Sequence, residues 1–475
     1  MFRLNTPSHR AFGASVASAL AAAVLAACGG GGGGPYTTVG AIPTLAAATG
    51  PLGVVPDSST GFTSPPKSAT EYDKHLALAT ANAGTKPAAD AAPAPGTAAQ
   101  YDPAALRTQW CYTAEHTSFP PELSDHNIVP PTQMFDNMWS FGPRWVLQYA
   151  FKADNGKSFL IDTLNNTGEA QSITEPGLLA MGSSASQLEG AMPTHGHGDH
   201  YGGAGYLQQT YGIPIYLGSA DASVGAKATP PFTVTQLDSS NLQPQAKDFG
   251  GLSMTLLSTP GHTVGTFSGV VPAKLNGKTY HLAFWGGTGM PGTISLAQQY
   301  LDGSERLYRL SAAQKIDGTI HTHPFVDGSL AKLDALKANP QSYSSANPFL
   351  IGNALALRSL SILRECAAAK VAQLDATAKI PGWITTAVQV TQATNSPGMM
   401  QATAVVTDPF GFVQNGHVNF TAQPAGETCT SYTNAKGVAG CTFPSTATSV
   451  TAEFAEGTLS DGTVELASAT TAQVK

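Results

Sequence analysis

Charged side chains are scarce in this chain: only 12% of residues are Asp, Glu, Lys or Arg, 31 acidic against 24 basic, for a formal charge of -7. No basic run interrupts the sequence. Binding a polyanion needs clustered Lys and Arg to replace its counterions, so nucleic acid is excluded as a partner. Cysteine is rarer still. Five occur in 475 residues, none in a Cys-x-x-Cys pair, which argues against a zinc-thiolate site. Histidine is also sparse, at 12 residues, which gives weight to the place where it clusters. The length leaves room for two or three domains on the usual scale of about 150 residues each.

The N-terminus reads as an export signal. Arg3 and Arg10 precede an alanine-rich apolar run from Ala11 to Ala27, which ends in Leu25-Ala26-Ala27-Cys28. This segment resembles a bacterial lipobox. The resemblance implies a mature protein that begins at a diacylated Cys28 and is held to a membrane without a spanning helix; an ordinary cleaved signal with an incidental cysteine is the alternative. No aspartate follows Cys28, so nothing argues for retention at the inner membrane. The expected location is the bacterial cell envelope, at the outer membrane, facing the periplasm or the surface. Export to an oxidising compartment makes the other four cysteines candidates for two disulfides. Proximity and domain logic favour Cys429 with Cys441 and Cys111 with Cys366, although four cysteines allow three connectivities.

Composition divides the rest. Residues 1–28 are the signal. Residues 29–105, which open on the flexible run Gly29 to Gly34, form an Ala-, Pro- and Gly-rich linker, in which Glu71 to Ala83 is a candidate helix stopped by Gly84. Residues 106–376 alternate strand and helix signals, the mark of an α/β domain. Paired strands are expected over Arg144 to Phe151 and Lys157 to Thr163, around the Asp154-Asn155-Gly156 turn. A second hairpin turns at Asn276-Gly277, and one helix is expected from Asp199 to Tyr211. Residues 377–475 carry alternating Thr-, Val- and Ala-rich segments between turns, which predicts a small all-β sandwich with a weak, pattern-level likeness to immunoglobulin-like surface modules.

The chemistry lies in Thr194-His195-Gly196-His197-Gly198-Asp199-His200, three imidazoles and a carboxylate within six positions. Neutral nitrogen and anionic oxygen donors at this density suit zinc and similar divalent metals. The spacing resembles the HxHxDH signature of the metallo-β-lactamase superfamily. Leu160-Ile161-Asp162-Thr163, Thr259-Pro260-Gly261-His262-Thr263 and His321-Thr322-His323-Pro324 resemble that family's other motifs, in the family's order. The resemblance implies a four-layer αββα sandwich. It also implies one zinc held by His195, His197 and His262, and a second held by Asp199, His200 and His323, with His321 as the alternative last ligand. Phe284-Trp285-Gly286-Gly287-Thr288 has Gly287 where much of the family has a bridging aspartate, which implies a firm first zinc and a weaker second. The motifs look closest to those of subclass B3 β-lactamases.

The implied reaction is hydrolysis of a lactam, lactone or ester by a metal-bound hydroxide, with Asp199 as the catalytic residue that orients it. The substrate is a small molecule. Phe135 to Trp145, with Phe135, Trp139, Phe141 and Trp145 around Asp136-Asn137, is a candidate aromatic hairpin over the site. Core packing is the expectation for any one of these rings, with Trp139 the one least expected to be buried, and Trp139 and Met290 are the candidate substrate contacts. The competing reading is an envelope lipoprotein with little or no catalytic activity, acting as a scaffold or adhesion module.

Overall fold

A computed structural model describes residues 70–84, 101–444 and 446–475. The signal, the lipobox with Cys28 and the run Gly29 to Gly34 lie outside the described residues. Within the expected linker, helix α1 (Glu71–Ala83) forms as anticipated. Thr70 caps it by accepting from the Asp73 N–H, and Gly84 ends it with φ 66. This stretch is a packed part of the body. His75, Leu78, Ala79 and Asn82 are buried on it, and His75 Nδ1 lies 2.6 Å from the buried Glu365 carboxylate.

After α2 (Pro103–Glu115), strands β1 (Ile128–Phe135), β2 (Met138–Pro143), β3 (Gln148–Lys152), β4 (Ser158–Ile161) and β5 (Leu188–Met192) form successive neighbours in one sheet. Helices α3 (Gly198–Tyr201) and α4 (Ala204–Tyr211) follow, and β6 (Ile215–Gly218) and β7 (Val234–Leu237) complete the seven strands. The second sheet has the order β12-β11-β10-β9-β8, from β8 (Gln245–Asp248), β9 (Ser253–Ser258), β10 (Phe267–Leu275), β11 (Lys278–Phe284) and, beyond helix α5 (Ile294–Ala313), β12 (Gly318–Ile320). Helices α6 (Ser329–Ala338) and α7 (Asn353–Leu374) close the domain. Phe135, Phe159, Ile161, Met254, Phe267 and Phe284 fill the space between the sheets. Strands buried on both faces need near-continuous apolar runs, and β3 and β4 supply them. Outside the first sheet, Phe141, Leu160 and Leu207 pack together; outside the second, Val270, Trp285, Tyr300 and Leu363 do. The result is the αββα layering.

Two local expectations need correction. Arg144 to Leu147 is a turn, because Pro143 ends β2 and the Leu147 N–H is drawn to the Thr322 carbonyl at 2.7 Å. The helix expected from Asp199 to Tyr211 is broken at Gly202 and Gly203, whose N–H groups bond to the carbonyls of Leu164 and Thr163 instead of the preceding turn. The Asn276-Gly277 hairpin is as expected: both residues have positive φ, 52 and 76.

The C-terminal region is a two-sheet sandwich. One sheet pairs β14 (Ala387–Ser396), β15 (Met399–Asp408), β16 (Gly411–Phe412) and β19 (Val438–Phe443); the other orders β18 (Glu427–Tyr432), β17 (His417–Gln423), β20 (Ser449–Phe454) and β23 (Ser468–Gln473). Met400, Val406, Val418, Phe420 and Phe454 form its core. The short strands β13 (Trp383–Ile384), β21 (Gly457–Thr458) and β22 (Val464–Glu465) form a third small sheet. Trp383 fastens it to the first domain: its N–H donates to Glu365 Oε1 at 2.9 Å, and the guanidinium groups of Arg309 and Arg364 each lie 4.8 Å from its ring centre. Both disulfides are present, Cys429–Cys441 across the sandwich and Cys111–Cys366 between α2 and α7.

Two stability measurements follow. Cys111 and Cys366 are 255 residues apart, so opening that bridge frees a long loop in the unfolded chain. A Cys111→Ala/Cys366→Ala variant should lose about 2–5 kcal/mol in denaturant unfolding. Glu465 is buried, and among the described residues its Oε1 has no hydrogen-bond partner; burial first, then the Asp408 carboxylate, push it from 4.5 up to about 7. Its folded form therefore prefers the proton, and the associated stability is complete below 4.5 and lost as pH rises through about 7. Glu465→Gln should match wild type at pH 5 and exceed it by about 2 kcal/mol at pH 8; equal stability at both pH values would refute this assignment.

Candidate metal centre

Loops from both sheets meet at one end of the sandwich. His195 and His197 follow β5, Asp199 and His200 open α3, His262 lies between β9 and β10, and His323 follows β12. The ligand atoms of His195, His197 and His262 lie within 4.8 Å of one another, as do those of Asp199, His200 and His323. His195 and His200 are buried, whereas His197 is exposed and Asp199 half-buried. The site therefore opens to solvent on one side.

Backbone carbonyls fix the ring orientations. His262 Nδ1 donates to the Gly289 carbonyl at 2.7 Å and His323 Nδ1 to the Trp145 carbonyl at 2.6 Å, so each presents an Nε2 lone pair to the centre. His262 Nε2 lies 3.1 Å from His195 Nε2, which in turn lies 3.1 Å from His197 Nδ1. At His195 Nε2 a single proton satisfies only one of these contacts, leaving lone pairs facing one another. Burial is the first cause that depresses the pKa of His195, His197 and His262, the last to about 3, and neighbouring imidazoles add to it. Neutral nitrogens converging in this way are what a divalent cation requires.

The second group is balanced differently. His323, lowered to about 4 by burial and then His200, presents its lone pair 3.3 Å from His200 Nε2. Burial would lower His200, but the Asp162 and Asp199 carboxylates raise it to about 10. Asp162 Oδ2 lies 2.5 Å from His200 Nδ1 and Asp199 Oδ2 lies 3.2 Å from Nε2. Burial would raise Asp199, yet His200 and then His323 hold it far below the carboxylate range. A cation here would displace the proton on His200 Nε2 and keep the negative charge of Asp199.

The structure settles where the remaining candidates lie. His321 belongs to neither donor group: its Nδ1 accepts from the His323 N–H at 2.9 Å and its ring meets Trp110 edge-on. Gly287 has no room for a carboxylate, since a Cβ there would stand 2.4 Å from that of His262. Met290 follows Gly289, is buried, and donates its backbone N–H to Thr113 Oγ1 at 3.1 Å. Trp139, the ring least expected to be buried, lies away from the site. It is buried in the outer layer with Phe141, Leu178 and Met181, because the β1–β2 pairing turns it to that face. Trp145 takes the place beside the donors, half-buried and stacked on His323 at 5.9 Å.

Asp162, in the Leu160-Ile161-Asp162-Thr163 motif, takes a place that the motif alone does not specify. Its carboxylate accepts from the Thr194 N–H at 2.7 Å as well as holding His200, from a left-handed backbone with φ 64. The available signal was an apolar strand, Phe159-Leu160-Ile161, that ends in a carboxylate, which has to find donors if it is buried.

A family model described as the metallo-beta-lactamase superfamily matches residues 143–274. Hydroxyacylglutathione hydrolase of Acidiphilium cryptum (strain JF-5) is 30% identical over 113 residues, which cover 24% of this chain and 40% of that protein; the chain thus spans well under half the length of this curated relative. Among solved structures, the subclass B3 metallo-beta-lactamase BJP-1 of Bradyrhizobium japonicum aligns at 20% identity, over 51% of this chain and 93% of the other, with a TM-score of 0.41. Native FEZ-1 metallo-beta-lactamase from Legionella gormanii aligns at 19% identity, over 52% and 95%, with a TM-score of 0.43. The matched segment holds five of the six donors, His195 to His262, and it is over this segment that the chain is similar to the metallo-beta-lactamase superfamily.

Proposed function

We propose that the protein is a zinc-dependent hydrolase acting on a lactam, lactone or ester, exported and lipid-anchored at Cys28 to the cell envelope. The observation that carries this reading is the facing of imidazole lone pairs at 3.1 Å among His195, His197 and His262. His195, His197 and His262 would hold one zinc, and Asp199, His200 and His323 a second. When bound, zinc supplies a Lewis acid and brings the pKa of water from 15.7 to about 7. The chain does the rest. Asp199, half-buried and kept ionised, offers an acceptor that orients water at the open side. Trp145 forms an aromatic wall beside His323, and His126 meets its edge at 5.8 Å, which suits a substrate with an apolar portion. The absence of a carboxylate at Gly287 leaves Asp199 as the sole anionic ligand and supports a weaker second site.

Metal counting tests the reading first. Protein reconstituted with zinc should retain between one and two ions per chain, and fewer than one would refute it. A panel of β-lactams, lactones, carboxyl esters, thioesters and phosphodiesters then tests turnover. His197→Ala should lose activity by at least about a thousandfold together with the first zinc. Background rates on the whole panel with both zincs bound would instead support a scaffold.

The two sites should also differ in pH dependence. His200 holds a proton up to about 10, whereas burial lowers His195, His197 and His262 from the ordinary imidazole value, His262 to about 3. Between pH 6 and 9, zinc affinity at the second site should rise about tenfold per pH unit, with one proton released, while the first stays nearly flat. Calorimetry in buffers of different ionisation enthalpy measures that proton.

A further inference from the structure

The helical turn Ser219–Asp221, after β6, carries a buried carboxylate outside both donor groups. Asp221 Oδ2 accepts from the Gly196 N–H at 2.8 Å and from the Thr263 hydroxyl. Its Oδ1 accepts from the Gly265 N–H at 3.1 Å. Gly196 lies between His195 and His197, while Thr263 and Gly265 follow His262. One side chain therefore joins the two loops that bring all three histidines of the first group, and none of its bonds reaches Asp199, His200 or His323.

The glycines show how close this approach is. A Cβ on Gly196 would stand 3.0 Å from Asp221 Cβ and Cγ, and one on Gly265 would stand 2.6 Å from Asp221 Cγ. Each loop lacks a side chain where its N–H comes up to the carboxylate. Thr263 is tied in further, 2.8 Å from Thr266 Oγ1.

We infer that Asp221 is a positioning residue that clamps the His195–His197 loop to the His262 loop and so sets the metal affinity of the three-histidine group selectively. This rests on the proposed metal reading of the site. Asparagine at this position keeps the size but gives up one acceptor, so an amide N–H opposes a backbone N–H. The loops then separate or rotate, and the three nitrogens no longer converge without cost.

The test uses two parent variants. His323→Ala keeps the three-histidine group intact, and His262→Ala keeps the second group. Zinc affinity is measured by competition with a chromophoric chelator, with and without Asp221→Asn, and circular dichroism and unfolding temperature check the fold. Asp221→Asn should weaken zinc binding about 10- to 100-fold in the His323→Ala parent and by less than about twofold in the His262→Ala parent. Thr263→Val, which removes one of the donors, should weaken the same group by a smaller factor and serves if Asp221→Asn does not fold. Equal losses in both parents, or no loss in either, would overturn the selective role of Asp221 alone. Wild-type protein that takes up no zinc would overturn the hydrolase reading and this inference together.

Discussion

Buried imidazoles that cannot satisfy one another are the constraint around which this domain is arranged. His262 commits its Nδ1 proton to a backbone carbonyl, so its free Nε2 faces His195 Nε2, which also faces His197 Nδ1, each across 3.1 Å. Buried polar groups without partners are costly. A fold that holds several of them at this spacing does so through many ordinary contacts elsewhere, and a divalent cation is the species that relieves the conflict.

Those contacts come from the architecture. The donors belong to loops that leave two different sheets, and the core of Phe159, Met254, Phe267 and Phe284 between the sheets fixes the distance between those loops. Carboxylates below the donors complete the arrangement: Asp162 joins the end of β4 to Thr194 and His200, and Asp221 joins the loops around Gly196 and Gly265. The second group differs electrostatically from the first because two carboxylates flank His200. In the first, burial comes foremost and neighbouring imidazoles next for His195 and His262.

Away from the site, the chain is fastened by a buried polar network. Glu365 on α7 receives the Trp383 N–H, pairs with Arg364 and contacts His75 on α1. Three distant stretches of sequence, around residues 75, 365 and 383, thus share one carboxylate. The Cys111–Cys366 bridge lies on the same helix, so α7 is the strut on which the α1 segment and the small β13 sheet both rest.

Several of these features were legible in the sequence because their causes are local. The density of histidine and aspartate named the donor chemistry, the Asn276-Gly277 pair set a tight hairpin through its positive φ values, and the apolar positions of Glu71 to Ala83 with Gly84 marked a helix and its stop. The αββα layering came from alternation of elements together with family likeness. Tertiary structure decided what depends on distant partners. Trp145 rather than Trp139 faces the donors, because a strand turns alternate residues to opposite faces and the break at Pro143 sets where the turn falls. A side chain has no room at Gly287, because a Cβ there would meet the His262 side chain. Asp221 acquired its place only when the loops around Gly196 and Gly265, 69 residues apart in sequence, closed on it. Spacing along a chain reports which atoms are available, and packing alone determines which of them meet.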